Sequence, residues 1–220
     1  MISAPTQVLV FDMDGVLVDV TESYRETIVR TVEYFTGAAI SRELIQDYKN
    51  RGGWNNDWLL SQKICADLGH DIAYKTIVDK FNDFFLNQGL IHRERWLPRN
   101  GLLDRLNQKF ELAIFTGRSI YEAEITLKRE GCLDRFLLVT SDDVEHEKPA
   151  PDGLLKIAAI RPGKQMLYIG DTVDDARSAR AANVPFIGIV APHSPRHDEV
   201  VTLLQSEGAI RVLGNINEIQ

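Results

Sequence analysis

Six residues scattered along this chain could do chemistry together: Asp12, Asp14, Thr116, Lys148, Asp171 and Asp175. The carboxylates and the hydroxyl recur where apolar runs end. Val8-Leu9-Val10-Phe11 leads into Asp12-x-Asp14-Gly15, Leu112-Ala113-Ile114-Phe115 into Thr116-Gly117-Arg118, and Met166-Leu167-Tyr168-Ile169 into Gly170-Asp171-Thr172-x-x-Asp175. Lys148 lies on a loop between the second and third runs. Such a set can act on a phosphate. Four carboxylates on one rim would repel one another, and a single lysine could not offset them, so the cluster calls for a bound cation. Carboxylates, a backbone carbonyl and water are hard oxygen donors, and no histidine or cysteine joins them, so Mg²⁺ fits better than zinc.

The elements that must position these residues follow from the pattern around them. Short β-branched and apolar runs bounded by Gly, Asp and Thr read as buried strands. Each is followed by helical spacing: Leu102, Leu103 and Leu106; a helix opened by the capping-box pair Ser119 and Glu122 and closed by Gly131; Leu154 to Ile160; a helix through Ala182; and one near Glu199 to Glu207. Phe136 to Val139, Pro185 to Val190 and Ile210 to Leu213 complete the strands. Strands alternating with helices predict an α/β fold with a doubly wound parallel sheet, whose strand ends form one ligand-binding rim.

One long stretch breaks the alternation. From Asp19 the apolar spacing is helical, with Tyr24, Ile28, Val32 and Phe35 closed by Gly37, then Arg42 to Lys49, a helix carrying Leu59, Leu60, Ile64 and Leu68, and one from Ala73 to Leu86. No strand pattern appears before Pro98, and the stretch is too long and too helical for a loop. The expected organisation is a core of residues 1–18 and 97–220 with an inserted helical domain, 19–96.

The order Asp12-x-Asp14-Gly15, Thr116-Gly117-Arg118, Lys148-Pro149-x-Pro151 and Gly170-Asp171-Thr172-x-x-Asp175 resembles the four motifs of the haloacid dehalogenase superfamily. The insert resembles the helical caps of its phosphoglycolate phosphatases and β-phosphoglucomutases. The resemblance covers essentially the whole chain and implies a Rossmann-like core and a phosphatase acting through an aspartyl-phosphate. It implies that Asp12 is the nucleophile, Asp14 the general acid and base, and Thr116 and the Gly117 amide phosphate donors. Lys148 would balance phosphate and nucleophile, and Mg²⁺ would be held by Asp12, the Asp14 carbonyl and Asp171, with Asp175 binding it directly or supporting it through water. An aspartate needs no base to be ionised at neutral pH, which suits it as a nucleophile. The superfamily's dehalogenases lack a carboxylate at the position of Asp14, so its presence favours phosphoryl chemistry. Its phosphonate-cleaving members use a cap lysine; Lys49 and Lys63 qualify only by location and read as solvated helix lysines.

Plainer readings stand beside these. Asp171 and Asp175 could be helix N-terminal acids, Thr116 a helix cap, Lys148 a solvated loop lysine, and Asp19 either a rim residue or a helix N-terminal charge. Arg118 points either to the rim, as a substrate-binding residue, or to solvent. The segment Arg51 to Trp58 is the best candidate for substrate recognition, through Trp54, Asn55 and Asn56; it could equally be a turn whose tryptophans pack the insert. His193 and His197, flanking Pro195, read as loop residues.

Composition narrows the function classes. A net charge of −7 over 220 residues argues against a nucleic-acid partner, which needs clustered Lys and Arg, and leaves room for a small phosphorylated ligand; a small phosphorylated metabolite is the substrate the resemblance implies. The sequence lacks an apolar run of membrane-spanning length or a secretory leader, and its two cysteines, Cys65 and Cys132, read as buried free thiols, so the expected location is cytoplasmic. The oligomeric state stays open. A phosphomutase would carry the same core motifs as a phosphatase, while a binding protein with a residual fold is disfavoured by the intact set.

Overall fold

The structure is a computed structural model and describes residues 6–219. Val8, Leu9, Val10 and Phe11 are at most 2% exposed, which is what an apolar run without alternation requires: both faces of its sheet are covered. This strand, β1 (Gln7–Phe11), is central. Two-residue strands β2 (Val18–Asp19) and β3 (Arg95–Trp96) pair with each other, and then follow β4 (Glu111–Phe115), β5 (Leu137–Val139), β6 (Gln165–Gly170), β7 (Phe186–Ile189) and β8 (Arg211–Leu213). The six-stranded sheet has the order β5-β4-β1-β6-β7-β8, and every pair in it is parallel. After β1 the chain builds outward on one side, through β4 and β5; after β6 it builds outward on the other. The crevice between the ends of β1 and β6 is therefore the topological switch point, where α/β sheets bind ligands.

The chain separates into two compact units: the residues up to Val18 with those from Trp96 onward, and Asp19–Arg95. The second is helical, built from α1 (Tyr24–Thr36), α2 (Arg42–Arg51), α3 (Asp57–Asp67) and α4 (Tyr74–Asn82). Its core is aromatic: the Tyr24 ring lies 4.1 Å from that of Phe85, and Phe81 packs near both. Gly37 ends α1 in the left-handed region, its N–H bonded to Glu33. The remaining helices, α5 (Leu102–Asn107), α6 (Ile120–Arg129), α7 (Asp152–Ile160), α8 (Val173–Ala181) and α9 (His197–Ser206), belong to the first unit. The Ser119–Glu122 capping box opens α6 as its spacing predicts.

Two expectations need correction. The stretch before Pro98 does contain strand, β3, but two residues are too few to show a period and owe their state to pairing with β2. The helix expected from Ala73 to Leu86 stops at Asn82 and continues as a π-helical turn, Asp83–Asn87. That turn buries Phe85 against Tyr24 and lets Phe84 meet Tyr34, two demands that an unbroken 3.6-residue period does not signal. Both cysteines are free and buried, as expected. Among the described residues no helix is long and apolar enough to cross a membrane.

Candidate active site

Three adjacent strands, β4, β1 and β6, deliver Thr116, Asp12 and Asp171 one residue past their last members. Sequence positions about a hundred and more residues apart thus become neighbours by sheet order alone. Asp12 is 5% exposed, and its backbone N–H donates to the Ile169 carbonyl, which ties the end of β1 to β6. Asp14 lies in the turn after β1, where the Met13 carbonyl accepts from both Leu17 and Val18. Gly15 is forced twice over: its φ is +72°, and a Cβ there would lie 2.1 Å from Oδ2 of Asp171.

Asp175 is the best-anchored carboxylate of the group. Its Oδ1 accepts from Lys148 Nζ (2.7 Å) and the Tyr168 hydroxyl (2.6 Å), and its Oδ2 from Thr172 Oγ1 (2.6 Å), Thr172 N–H and Asp171 N–H. Thr172 in turn caps α8 by accepting from the Asp175 N–H, so Asp175 is both a helix-capping acid and a member of the cluster. Gly170 makes room for it, since a Cβ there would come within 2.5 Å of the Asp175 Cβ. Lys148, with a side chain 1% exposed, bridges Asp175 to Asp12 Oδ1 at 2.9 Å, its ammonium 4.9 Å from the centre of the Phe115 ring.

Burial sets the charge states. It pushes the Asp12 carboxyl up to about 7; Lys148 pulls it back only in part, and Asp175 and Asp14 add to the rise. Asp175, which burial alone would raise, is drawn below the usual range by Lys148 and by the bonds from Thr172 and Tyr168. Lys148 opposes burial through the same two carboxylates and is held charged, its pKa above the ordinary 10.5. Oxygens of Asp12, Asp171 and Asp175 lie within 4.8 Å of one another, so these three could hold a metal ion, and every donor in the set is oxygen. Thr116 is 1% exposed, its Oγ1 accepting from the Arg118 N–H at 3.2 Å, while Gly117 is exposed in the turn between them.

Arg118 does not point to solvent; it turns toward Asp14 at the rim. It is buried, and its guanidinium faces the Asp14 carboxylate and the Thr126 hydroxyl. Lys148 is likewise no solvated loop lysine. Tyr168 was not legible as a site residue, since it sits inside an apolar strand; the signal was a phenol two residues before Gly170-Asp171, whose buried hydroxyl must find an acceptor.

The helical unit holds most of the other singled-out residues, and the two histidines lie in the first unit. Asn56 caps α3, its side-chain oxygen accepting from Trp58 N–H and Leu59 N–H, both at 3.1 Å. Trp54 meets the Tyr48 ring edge-on and Trp58 the Phe81 ring. The Asn55 side-chain nitrogen is buried without a hydrogen-bond partner. Lys49, read as solvated, is instead 6% exposed: the turn through Gly52 and Gly53 returns Asp57 to the end of α2, where it binds Lys49 Nζ at 2.6 Å. Lys63 pairs with Asp67 on the surface. Asp19 accepts from the Thr21 N–H and pairs with Arg95. His197 starts α9 beside Asp198, and His193 is exposed.

With this geometry in view, the comparisons with known proteins are consistent with one another. A family model described as haloacid dehalogenase-like hydrolase matches residues 9–189. A protein of Phytophthora nicotianae named imidazoleglycerol-phosphate dehydratase is 29% identical; the match takes in 87% of this chain but 45% of that one, so this chain spans under half of that relative's length. The phosphoglycolate phosphatase of Vibrio parahaemolyticus is 24% identical over 97% of this chain and 95% of its own. Among solved structures, a phosphatase of Thermococcus thioreducens is similar with a TM-score of 0.65 and 26% identity, covering 90% of this chain and 99% of that one.

Proposed function

We propose a function from the premise that this chain belongs to the haloacid dehalogenase-like hydrolases: it is a Mg²⁺-dependent phosphatase that hydrolyses a small phosphorylated metabolite through an aspartyl-phosphate on Asp12. The observation that carries this is the contact of Asp12 with Lys148 inside a buried cluster of oxygen donors at the switch point of the sheet. In the proposed reaction the Asp12 carboxylate attacks phosphorus, and Asp14 gives a proton to the departing oxygen. Asp14 then takes a proton from the water that attacks the aspartyl-phosphate. Thr116 and the Gly117 amide donate to the phosphoryl oxygens, and Lys148 stays charged beside both nucleophile and phosphate.

The all-oxygen set fits a small hard dication, with Asp12, Asp171 and the Asp14 carbonyl as the residues that would hold it. Asp175, whose two oxygens already accept five hydrogen bonds, would support it from behind. When bound, the cation would neutralise charge on the phosphoryl oxygens and keep neighbouring carboxylates ionised. The second effect bears directly on Asp12, because burial otherwise favours its protonated form. Turnover is therefore expected to stop in excess chelator and return with added Mg²⁺. Full activity in chelator would remove the cation from the reading.

The activity itself is tested by phosphate release from a panel of phosphorylated acids, sugars, nucleotides and imidazole-bearing phosphate esters, with isomer analysis of the products. Both relatives described above are named for phosphorylated small molecules, which sets the range of the panel. Release of inorganic phosphate supports the phosphatase. Isomerisation without release would make the chain a phosphomutase, and neither outcome on any compound would refute both. No nucleic acid or membrane partner is proposed, and buried free thiols suit a cytoplasmic protein.

Recognition of the leaving group is assigned, as part of the same proposal, to Trp54, Asn55 and Asn56. Asn55 is the informative position, because replacing Asn56 also removes a helix cap worth about 1 kcal/mol. Asn55→Ala is expected to lower kcat/KM for the best natural substrate by about 10-fold, near 1.4 kcal/mol, and to change turnover of an aryl phosphate much less. Equal losses on both substrates, or none, would mark the segment as scaffolding.

A further inference from the structure

We infer that Arg118 is a positioning residue: it holds the Asp14 carboxylate in place through Oδ1. The inference rests on the proposed role of Asp14 as general acid and base. Arg118 Nε and Nη2 both donate to Oδ1, at 2.8 and 2.5 Å, and Nη1 donates to Thr126 Oγ1 at 2.9 Å.

The two partners are unequally held. The Arg118 side chain is 1% exposed, that of Asp14 27%. The arginine backbone is pinned as well: its N–H donates to Thr116 Oγ1, and its carbonyl accepts from both the N–H and the hydroxyl of Ser141. Arg118 is thus the rigid member and Asp14 the accessible one. Asp14 is held by its backbone through a single β-bridge to Val18, and its carboxylate is held by the two bonds from Arg118. A proton-transfer group must stay within hydrogen-bond reach of the reacting oxygen in both half-reactions, and the fixed guanidinium supplies that constraint.

A buried arginine also needs an acceptor for purely structural reasons, and a double-mutant cycle separates the two roles. With p-nitrophenyl phosphate as substrate, Arg118→Met is expected to lower kcat by about 10- to 100-fold, part of the usual contribution of general acid–base catalysis. KM should stay within about 3-fold. In an Asp14→Asn background the same change should alter kcat by less than about 3-fold, because there is no proton carrier left to position. Arg118→Lys, which keeps a cation, should recover part of the loss. An equal factor in both backgrounds, or a loss confined to KM, would overturn the inference. Should Arg118→Met fail to fold by circular dichroism, Thr126→Val makes the same test by removing the second anchor of the guanidinium, with non-additivity expected and additivity overturning. Loss of turnover in Asp14→Asn with Arg118→Met unaffected would refute the role of Arg118 alone. Full activity of Asp14→Asn would refute the reading of Asp14 beneath it.

Discussion

Asp12→Asn is expected to lower phosphatase turnover below about one percent of wild type, a rise of roughly 3 kcal/mol or more in the barrier, with the fold intact. The substitution removes the proposed nucleophile and one oxygen of the metal-binding set at almost no change in volume. Its effect on stability should depend on pH in a stated direction. Burial raises the Asp12 carboxyl from an ordinary 3.8 to about 7, so between those values the folded chain binds more protons than the unfolded one, and stability falls as pH rises through that window. Asparagine does not titrate. In chelator, the melting temperature of the variant relative to wild type should therefore be higher at pH 8 than at pH 5. Residual activity above one percent would sink the nucleophile assignment, and a relative melting temperature that rises on acidification would sink the electrostatic account.

Lys148→Met should have the largest effect on stability. The ammonium is the cation shared by Asp12 and Asp175, at 2.9 and 2.7 Å, and removing it leaves two carboxylates facing each other out of reach of solvent. Breaking a buried pair from one side costs about 3–5 kcal/mol. The partners hold the lysine pKa above 10.5, so its contribution is fully present at working pH and is lost only far into alkali. In the variant the deficit should be greatest near pH 8 and shrink toward pH 5, where Asp12 takes up a proton. Turnover should fall by about 100-fold or more, as for other groups that stabilise transition-state charge. Urea unfolding at the two pH values, with kcat measured alongside, checks both; a loss of stability under about 1 kcal/mol would show that the cluster does not depend on this charge.

Much of the architecture was legible because its signals are local. Apolar runs ending in Asp or Thr, the Ser119–Glu122 box and the glycine after α1 each report a backbone state within a few residues. The convergence of Asp12, Thr116 and Asp171 followed from one further rule, that parallel strands share a rim; the loop residue Lys148 did not fall under it. What escaped the sequence is whatever depends on a partner far along the chain. Nothing near Arg118 announces that its guanidinium meets Asp14, and nothing near Lys49 tells that two glycines fold Asp57 back onto it. Tyr168 reads as one more apolar strand residue until the strand is placed beside α8 and the hydroxyl finds Asp175. The π-helical turn after Asn82 is of the same kind, since aromatic contacts to α1 decide it.

The central position of β1 has a consequence for how the chain is made. Leu9 aligns with Leu112 on one side and with Leu167 on the other, so this strand leaves the ribosome well before both its partners, each more than about a hundred residues downstream. Contacts of such long range slow folding, because loop closure comes before any gain from pairing. Until β6 has been synthesised, the Val8–Phe11 segment has at least one open edge, and a run of this composition is prone to pair with another nascent chain. The helical unit, complete by Arg95, can form while β1 waits. The price of placing the nucleophile on the middle strand is thus a long interval of synthesis in which that strand has an unpaired edge.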